Sequence, residues 1–425
     1  MTTPREKRSS KNTRRGAVLA LVAVSLVVLM GTLVFAIDAG NLQRQRRMAQ
    51  TAADAAALAG AIEIFRNRPD SIDPSAKSEA KRNGFEHLVG GDIVTVTYPA
   101  ANGTFTGNKY VDVVVQRTVP TAFGSFFGRG SAVIHSRATA GITLAELCFI
   151  VLDPAGADAL KLSNTAQLTG SGCGLEVNST SPTGADAAGN GVLVSAPFIS
   201  VAGPSVGGAD KFTPAPDYNV PPTPDPMSQL VMPTVPNTCD YGTLSARTTF
   251  SGVITLNPGA YCGGIDVNGT LTMNPGLYIL RGGGLSAIGG ASTLRSVGTG
   301  VTILNTAPPA GASYGWGPIF IQSGSVTIDL YANTDPASAL PGVLFYTDPA
   351  APYMVNLFKA NSVSRMDGTM YFPTGLVKFE SGASFTINGA LVAYHVELSQ
   401  SVNLTFTGYG GGSAFQALRR ATVVE

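Results

Sequence analysis

Eight charged side chains toward the C-terminal end are of types that do acid–base chemistry or bind a divalent cation. Several of the aspartates stand beside turn residues, where Asp commonly hydrogen-bonds its own backbone. Lys359, Lys378 and Glu380 alternate with apolar residues, as solvent-facing positions of a strand do. We therefore predict structural roles and no catalytic site for the whole set: Asp329, Asp335, Asp348, Lys359, Arg365, Asp367, Lys378 and Glu380.

The histidines and cysteines do not have the spacing of a metal site. His87, His135 and His395 are widely separated, and no two cysteines form a C-x-x-C pair. We predict no metal and no cofactor. The cysteines fall into two pairs of similar spacing, which favours disulfides in an oxidising compartment over the alternative of buried, reduced thiols. These disulfide candidates are Cys148, Cys173, Cys239 and Cys262.

Composition limits the classes of protein and of partner. The chain has 425 residues, enough for two or three domains, with 50 Gly, 27 Pro and only 13% charged residues. That balance favours many short strands joined by turns over long soluble helices. The net charge is +1, which gives no reason to expect nucleic acid as a partner.

A membrane anchor is predicted over residues 16–37, an uninterrupted run without a charge. As a helix it would reach about 33 Å, enough to cross the hydrocarbon core of a bilayer. Residues 1–15 carry six basic side chains and one acidic one, so this end should stay in the cytoplasm and send the rest of the chain outward. A cleaved secretory signal is the alternative, but its apolar region would be shorter, at roughly 7–15 residues.

The helix is predicted to continue past the membrane, because residues 41–65 contain no Pro and are rich in Ala. Small side chains allow another helix to approach closely. Ala52, Ala56 and Ala59 are therefore candidates for docking a partner helix. The alternative is an ordinary juxtamembrane helix that packs on its own domain.

These N-terminal residues closely resemble the first segment of TadG-like proteins of the tight-adherence (Flp) pilus assembly systems of bacteria. The matching residues are Arg15-Gly16-Ala17, Ile37-Asp38-Ala39-Gly40 and Gln50-Thr51-Ala52-Ala53-Asp54-Ala55-Ala56-Ala57-Leu58-Ala59. The resemblance implies a single-pass protein of the bacterial cell membrane whose partners are pilus-assembly or pseudopilin-like proteins. Two features are absent: Leu21 stands where prepilin substrates have Glu, and residues 151–157 lack the D-x-S-x-S metal-adhesion motif.

Residues 38–146 are predicted to form the juxtamembrane helix and a small α+β module. A second helix is expected from Ser75 to Leu88, after Pro74. Period-two alternation and β-branched residues predict strands at 93–98, 110–115 and 132–135.

Residues 147–410 are predicted to form a β-helix, or solenoid, which makes the whole chain mainly β. The run at 256–261 recurs at 273–278, the run at 377–387 is echoed at 396–406, and similar runs begin at Gly342, Gly368 and Gly389. Irregular periods of roughly 20 residues fit stacked coils. A β-sandwich is the alternative. The cysteine spacing favours the solenoid, because each pair would lie on adjacent rungs, within disulfide reach.

Residues 214–236 interrupt this pattern with eight prolines. They are interpreted as an excursion across the surface of the solenoid, a divider between two segments, or a linker. Residues 411–425 are expected to be a C-terminal tail. Five aromatic residues are candidates for binding a glycan through stacking, with core or end-cap positions as the alternative: Tyr314, Trp316, Tyr331, Tyr353 and Tyr409.

Two classes of function follow. The first is a membrane-anchored, non-enzymatic component of pilus assembly with a β-helical domain outside the cytoplasm. The second is an anchored β-helical adhesin or polysaccharide-active enzyme.

Overall fold

The computed structural model describes residues 13–424, apart from 67, 127, 289–292, 323–325, 360–363, 381, 383 and 409–415. Strand occupies 43% of the chain and helix 19%, so the prediction of a mainly β protein is confirmed. The chain divides into two units. The small module comprises residues 1–144 and 418–425, and the body comprises residues 145–417.

The small module combines three helices with an antiparallel sheet. Its helices are α1 (Thr13–Phe65), α2 (Pro69–Arg82) and α3 (Ala122–Phe126), and its strands are β1 (Ile93–Thr97), β2 (Tyr110–Pro120) and the first part of β3 (Ser131–Val151). β2 pairs with both β1 and β3. The alanine-rich face of α1 packs against α2 and the valines of β2. The fit is close: a Cβ added at Gly60 would lie 3.1 Å from the Val111 side chain.

Helix α2 lies earlier than predicted, at Pro69–Arg82 and not at 75–88. Pro69 occupies the first turn, where its missing N–H has no partner to lose, and Pro74 lies inside the helix. Gly84 ends the helix because its φ of 86° lies in the left-handed region. The amide of Phe85 then bonds the carbonyl of Ala80 at 2.9 Å, and the buried Phe85 ring closes the end.

The C-terminal residues differ from the expected tail. Strand β27 (Gln416–Val423) follows the body, and residues 418–425 belong to the small module. The amide of Val424 bonds the carbonyl of Thr139 in β3 at 2.8 Å. The prediction was wrong because a bond with a strand so much earlier in the chain leaves no local signal.

The body is a parallel β-solenoid, since every strand pairing described in it is parallel. This confirms the predicted solenoid and excludes the sandwich, whose sheets are antiparallel. Residues 147–218, the first block, contain the end of β3 and β4 (Leu160–Ser163), β5 (Gln167–Gly170), β6 (Gly174–Val177), β7 (Ala185–Ala188), β8 (Leu193–Ser195), β9 (Ile199–Val201), β10 (Phe212–Thr213) and β11 (Asp217–Tyr218).

Residues 241–406 form the second block, which is longer. Its strands are β12 (Tyr241–Gly242), β13 (Thr248–Leu256), β14 (Gly259–Cys262), β15 (Ile265–Met273), β16 (Gly276–Arg281), β17 (Leu285–Ala287), β18 (Thr293–Ser296), β19 (Val301–Thr306), β20 (Ile319–Ile321), β21 (Thr327–Tyr331), β22 (Val343–Thr347), β23 (Val355–Lys359), β24 (Ser364–Glu380), β25 (Ser384–Leu398) and β26 (Asn403–Phe406).

The internal repeats of the sequence correspond to the pairing register. Leu256 lies opposite Met273, the equivalent position of the run that recurs at 273–278. Gly368 lies opposite Gly389, and Val377 lies opposite Val396, so these repeats are also neighbours in the structure. Each coil therefore differs from the next in the length of its loops, while alternate strand residues keep filling one continuous apolar core.

The order of the coils is not the order of the chain. The last strands of the second block pair with the first strands of the first block: β25 with β3 and β4, and β26 with β5. Along the solenoid the coils thus run from residue 241 to 406 and continue from 147 to 218. The chain enters and leaves the body in the middle of this stack, where the Glu146 side chain lies against Gly408.

Residues 219–240, here called the strap, connect the far ends of the two blocks. The amide of Val220 bonds Val201 of β9, and the amide of Asp240 bonds Ala260 of β14. Between them Met227 packs into an apolar cluster on the outer side of the strands, which includes Ile150, Ile279, Leu304, Tyr346, Tyr371 and Val392. The proline-rich segment, apart from residues 214–218, thus runs along the outside of the strands and also separates the two blocks in the chain.

Candidate functional site

The charged residues toward the C-terminal end do not converge on a site. Asp335 accepts a hydrogen bond from the amide of Ala337 at 2.9 Å, and Asp348 accepts one from Ala350 at 2.8 Å. These are caps of the turns that contain them, as the sequence predicts. Among the residues that the structure describes, no group of His, Cys, Asp and Glu is arranged to hold a metal ion.

Four of the remaining six members form ion pairs on the surface of the strands. Arg365 pairs with Asp367, and Lys378 lies 2.7 Å from Glu380 and 3.2 Å from Glu397. The hydrogen bond with Glu380 is the main cause that raises the pKa of Lys378. Asp329 and Lys359 lie opposite charged partners on the next coil, Arg365 and Glu380. Opposite charges on neighbouring strands stabilise a sheet, which gives these residues a structural role.

A charged group that the sequence did not reveal lies where the two blocks meet. His395 of β25 bonds the carboxylate of Asp153, which follows β3 and is 5% exposed. Burial would raise the pKa of Asp153, but hydrogen bonds from the amide of Ala155, the His395 ring and the amide of Gly156 lower it. The Tyr353 hydroxyl lies 3.4 Å from His395. The contacts of His395 described here include no serine or cysteine that it could activate as a nucleophile.

The candidate aromatic residues make separate contacts. The Tyr314 hydroxyl bonds the carbonyl of Thr243, Tyr353 contacts His395, and Tyr331 lines a groove of about 570 Å³ with Arg365 and Asp367. Tyr409 lies outside the described residues. A glycan ligand therefore stays a prediction.

Both cysteine pairs are bonded. Cys148 is joined to Cys173 and Cys239 to Cys262, each with 5.6 Å between the Cα atoms. The first disulfide links β3 to the strand next to it, since Leu147 and Phe149 lie opposite Gly174 and Leu175. The second fastens the end of the strap to β14. Both therefore connect neighbouring rungs of the body.

Helix α1 is long and apolar enough to cross a membrane. It has 53 residues, and its large apolar side chains between Val18 and Ile37 are mostly at least half exposed. Such a surface is stable in lipid and unfavourable in water. Residues 1–12, which belong to the basic N-terminal segment, lie outside the described residues.

Asp38 follows this apolar stretch directly and holds the segment around α3. Its carboxylate accepts hydrogen bonds from the amides of Ala122, Phe123 and Gly124, at 2.9, 2.6 and 3.4 Å. Further along α1, Gln50 donates to Asp54 at 2.7 Å and to the carbonyl of Arg137 at 3.0 Å. These polar side chains connect α1 to distant parts of the small module.

Two of the three docking candidates face the core of the small module. Ala52 and Ala56 have no exposed surface and pack in the cluster with α2 and β2. This placement agrees with the alternative interpretation, a juxtamembrane helix packed on its own domain, because one face of α1 cannot bind two partners. Ala59 is half-buried and lines a groove with Pro74 and Ser78 of α2.

Part of α1 matches a known protein family. Residues 16–63 match the family model described as putative Flp pilus-assembly TadE/G-like. The chain carries a TadE/G-like segment. No curated protein and no solved structure matches the chain.

The TadE/G-like segment coincides with most of α1. It contains the apolar stretch, Asp38, the Gln50–Asp54 pair and the buried alanines. The structure thus gives each part of the sequence pattern a physical role: an apolar surface for the membrane, a carboxylate that binds three amides, and small side chains that let the sheet and α2 approach. The match supports a role related to Flp pilus assembly and an association with the membrane.

Proposed function

We propose that this protein is a membrane-anchored, non-enzymatic component of Flp pilus assembly that holds a β-solenoid body outside the cytoplasm. The observation that carries the proposal is that the TadE/G-like match, residues 16–63, includes the one apolar span found in the described residues. An anchor joined to a stiff, disulfide-linked body suits an assembly or display role. The ion pairs and caps described above supply no catalytic group.

We further propose that the N-terminus is cytoplasmic and that the body lies in the periplasm or outside the cell. The basic residues before the span support this orientation, because positive charge accumulates on the cytoplasmic side. The two disulfides support it as well, since disulfides persist in oxidising compartments. Retention of the span as an anchor is part of the proposal.

The proposed partner is a helix of another pilus-assembly protein, and the face of α1 that binds it is the one that the small module leaves uncovered. Thr51 is exposed, and Ala55, Leu58 and Ile62 are partly exposed. These positions are separated by four, three and four residues, the spacing that lines one side of a helix and pairs with a second helix. Ala59 borders this stripe.

Co-purification of the detergent-solubilised full-length protein tests the proposal. The Thr51→Arg variant places a long charged side chain at the exposed N-terminal end of the stripe, and the Thr106→Arg variant makes the same change at an exposed site in the β1–β2 connection. Pilus-assembly proteins identified by mass spectrometry should accompany the wild type and Thr106→Arg, and should be lost with Thr51→Arg.

Equal recovery with both variants would show that the stripe is not the docking face. If no pilus-assembly protein accompanies the wild type while the body binds or cleaves an envelope polysaccharide, the anchored adhesin or enzyme is the better account.

A further inference from the structure

We propose that the α3 segment, residues 121–126 and 128–130, is a second membrane contact, which inserts the Phe126 ring into the bilayer interface beside α1. The proposal rests on the anchoring of α1 proposed above. It concerns the small module alone and assigns this segment a lipid surface as its partner.

The first observation is the position of α3 along α1. The Phe123 ring packs edge-on against Phe35 with 5.6 Å between the ring centroids, and a Cβ added at Gly31 would lie 3.9 Å from Phe123. Gly31 lies six residues inside the predicted span, about 9 Å from its end at 1.5 Å per residue. When Val18 to Ile37 are in lipid, Phe123 therefore lies alongside the last turns of the membrane-spanning helix.

The second observation is the exposure of Phe126. This side chain is 84% exposed, although it belongs to the same short helix as Phe123. A large aromatic ring in water is unfavourable, whereas aromatic rings are enriched at the level of the lipid headgroups. Arg129 is also exposed on this segment, and its charge suits the phosphates of the headgroups.

The third observation is that the segment is held in shape. Asp38 binds the amides of residues 122–124, the Thr121 hydroxyl donates to the carbonyl of Arg129 at 2.7 Å, and the amide of Arg129 bonds Gly124 at 2.8 Å. A Cβ at Gly124 would lie 2.4 Å from the Arg129 carbonyl oxygen, so the backbone at Gly124 and the backbone at Arg129 are in close contact. A segment that is already ordered loses little entropy when it binds a surface.

Fluorescence quenching in vesicles tests the proposal. The four native cysteines are bonded, so a single new cysteine takes a thiol-reactive, environment-sensitive dye. Three full-length variants are reconstituted in vesicles of phosphatidylethanolamine and phosphatidylglycerol: Leu29→Cys within the span, Phe126→Cys, and Asn108→Cys. Asn108 is exposed and lies three residues from Val111, whose side chain packs against Gly60. Gly60 lies about 43 Å from Gly31 along α1.

The dye at position 126 should lose fluorescence with lipid-borne quenchers and keep it with aqueous iodide, as the dye at position 29 does. The dye at position 108 should show the opposite. If position 126 behaves like position 108 while position 29 is quenched by lipid, the α3 segment is in water and the proposal is wrong. If position 29 is not quenched by lipid either, the anchoring itself fails, and the two failures are thus distinguished.

Discussion

Single polar side chains hold distant segments of this chain together through hydrogen bonds. Asp38 holds three amides of the α3 segment, and Gln50 connects α1 to β3. In the body the most unusual group is Glu176 of β6, which is 3% exposed and accepts a hydrogen bond from the amide of Thr223 in the strap at 2.8 Å. Burial raises the pKa of Glu176 to about 7, and the bonds from Thr223 oppose part of that rise.

This raised pKa predicts that the stability of the body depends on pH. Below the pKa of the unfolded carboxyl, near 4.5, Glu176 is protonated in both states and the body has its full stability. That stability is lost as the pH rises through about 7, because the unfolded state ionises more readily than the folded state. Glu176→Gln keeps the acceptor and cannot ionise. Between pH 4.5 and 8 the variant should therefore gain stability relative to the wild type, on the order of 3 kcal/mol at the alkaline end.

Thermal unfolding of the full-length protein in detergent, from pH 4 to pH 8, measures this effect. Glu86→Gln is the matched control, because the Glu86 carboxylate is 45% exposed. Parallel profiles for the wild type and Glu176→Gln would show that Glu176 titrates normally in the folded protein.

At the scale of elements, the strap completes the apolar packing on the outer side of the body. It covers outward-facing side chains on strands of both blocks, which would otherwise leave an apolar stripe in water. Its fixed points are Thr223, the disulfide of Cys239 and, between them, a hydrogen bond of 2.6 Å from the Tyr371 hydroxyl to Asp225. Burial, together with this bond to Asp225, raises the pKa of Tyr371, so the hydroxyl stays protonated and donates.

Removal of that hydroxyl should loosen the strap without unfolding the solenoid. A hydrogen bond to a charged group contributes about 1.5 kcal/mol or more, which corresponds to roughly ten-fold faster opening. Hydrogen exchange of the amides between Asp225 and Leu230 in Tyr371→Phe should therefore be about ten times faster than in the wild type. Tyr218→Phe removes an exposed tyrosine hydroxyl and should leave these rates unchanged; an unchanged rate in Tyr371→Phe as well would mean that the bond does not hold the strap.

In the whole body, the spatial order of the coils is a circular permutation of their order in the chain. The chain begins the first block in the middle of the stack, and the strap returns it to the far end of the second block. Because stacked coils contact only their neighbours, their stability depends on which coils are adjacent and not on the order of the chain.

A rearranged body tests this directly. A chain that runs from Tyr241 to Gly408, through a short flexible linker, and then from Glu146 to Asp240 keeps every coil contact and both disulfides. It should fold, with a melting temperature close to that of the unpermuted body. A second permutant that opens β25 between Leu391 and Val392 cuts a strand at the junction of the blocks and should be much less stable. Equal behaviour of the two permutants would contradict this account.

The sequence by itself determined the apolar span, the mainly β class, the TadE/G-like resemblance and the repeats that become neighbours in several coils. Those features depend on local runs of residues or on repeats, and a repeated coil repeats its alternation of apolar and turn residues. The positions of β1, β2 and β3 followed from period-two alternation for the same reason.

Only the tertiary structure decided which of these local features meet. Local pattern did not show that β25 pairs with β3, that His395 reaches Asp153, that Tyr371 holds Asp225, or that the C-terminal strand returns to the small module. Ala52 and Ala56 illustrate the reason: a stripe of small side chains permits close packing equally well with a partner or with the helix's own sheet. The choice depends on which surface the rest of the fold brings near, and that is a property of the whole chain.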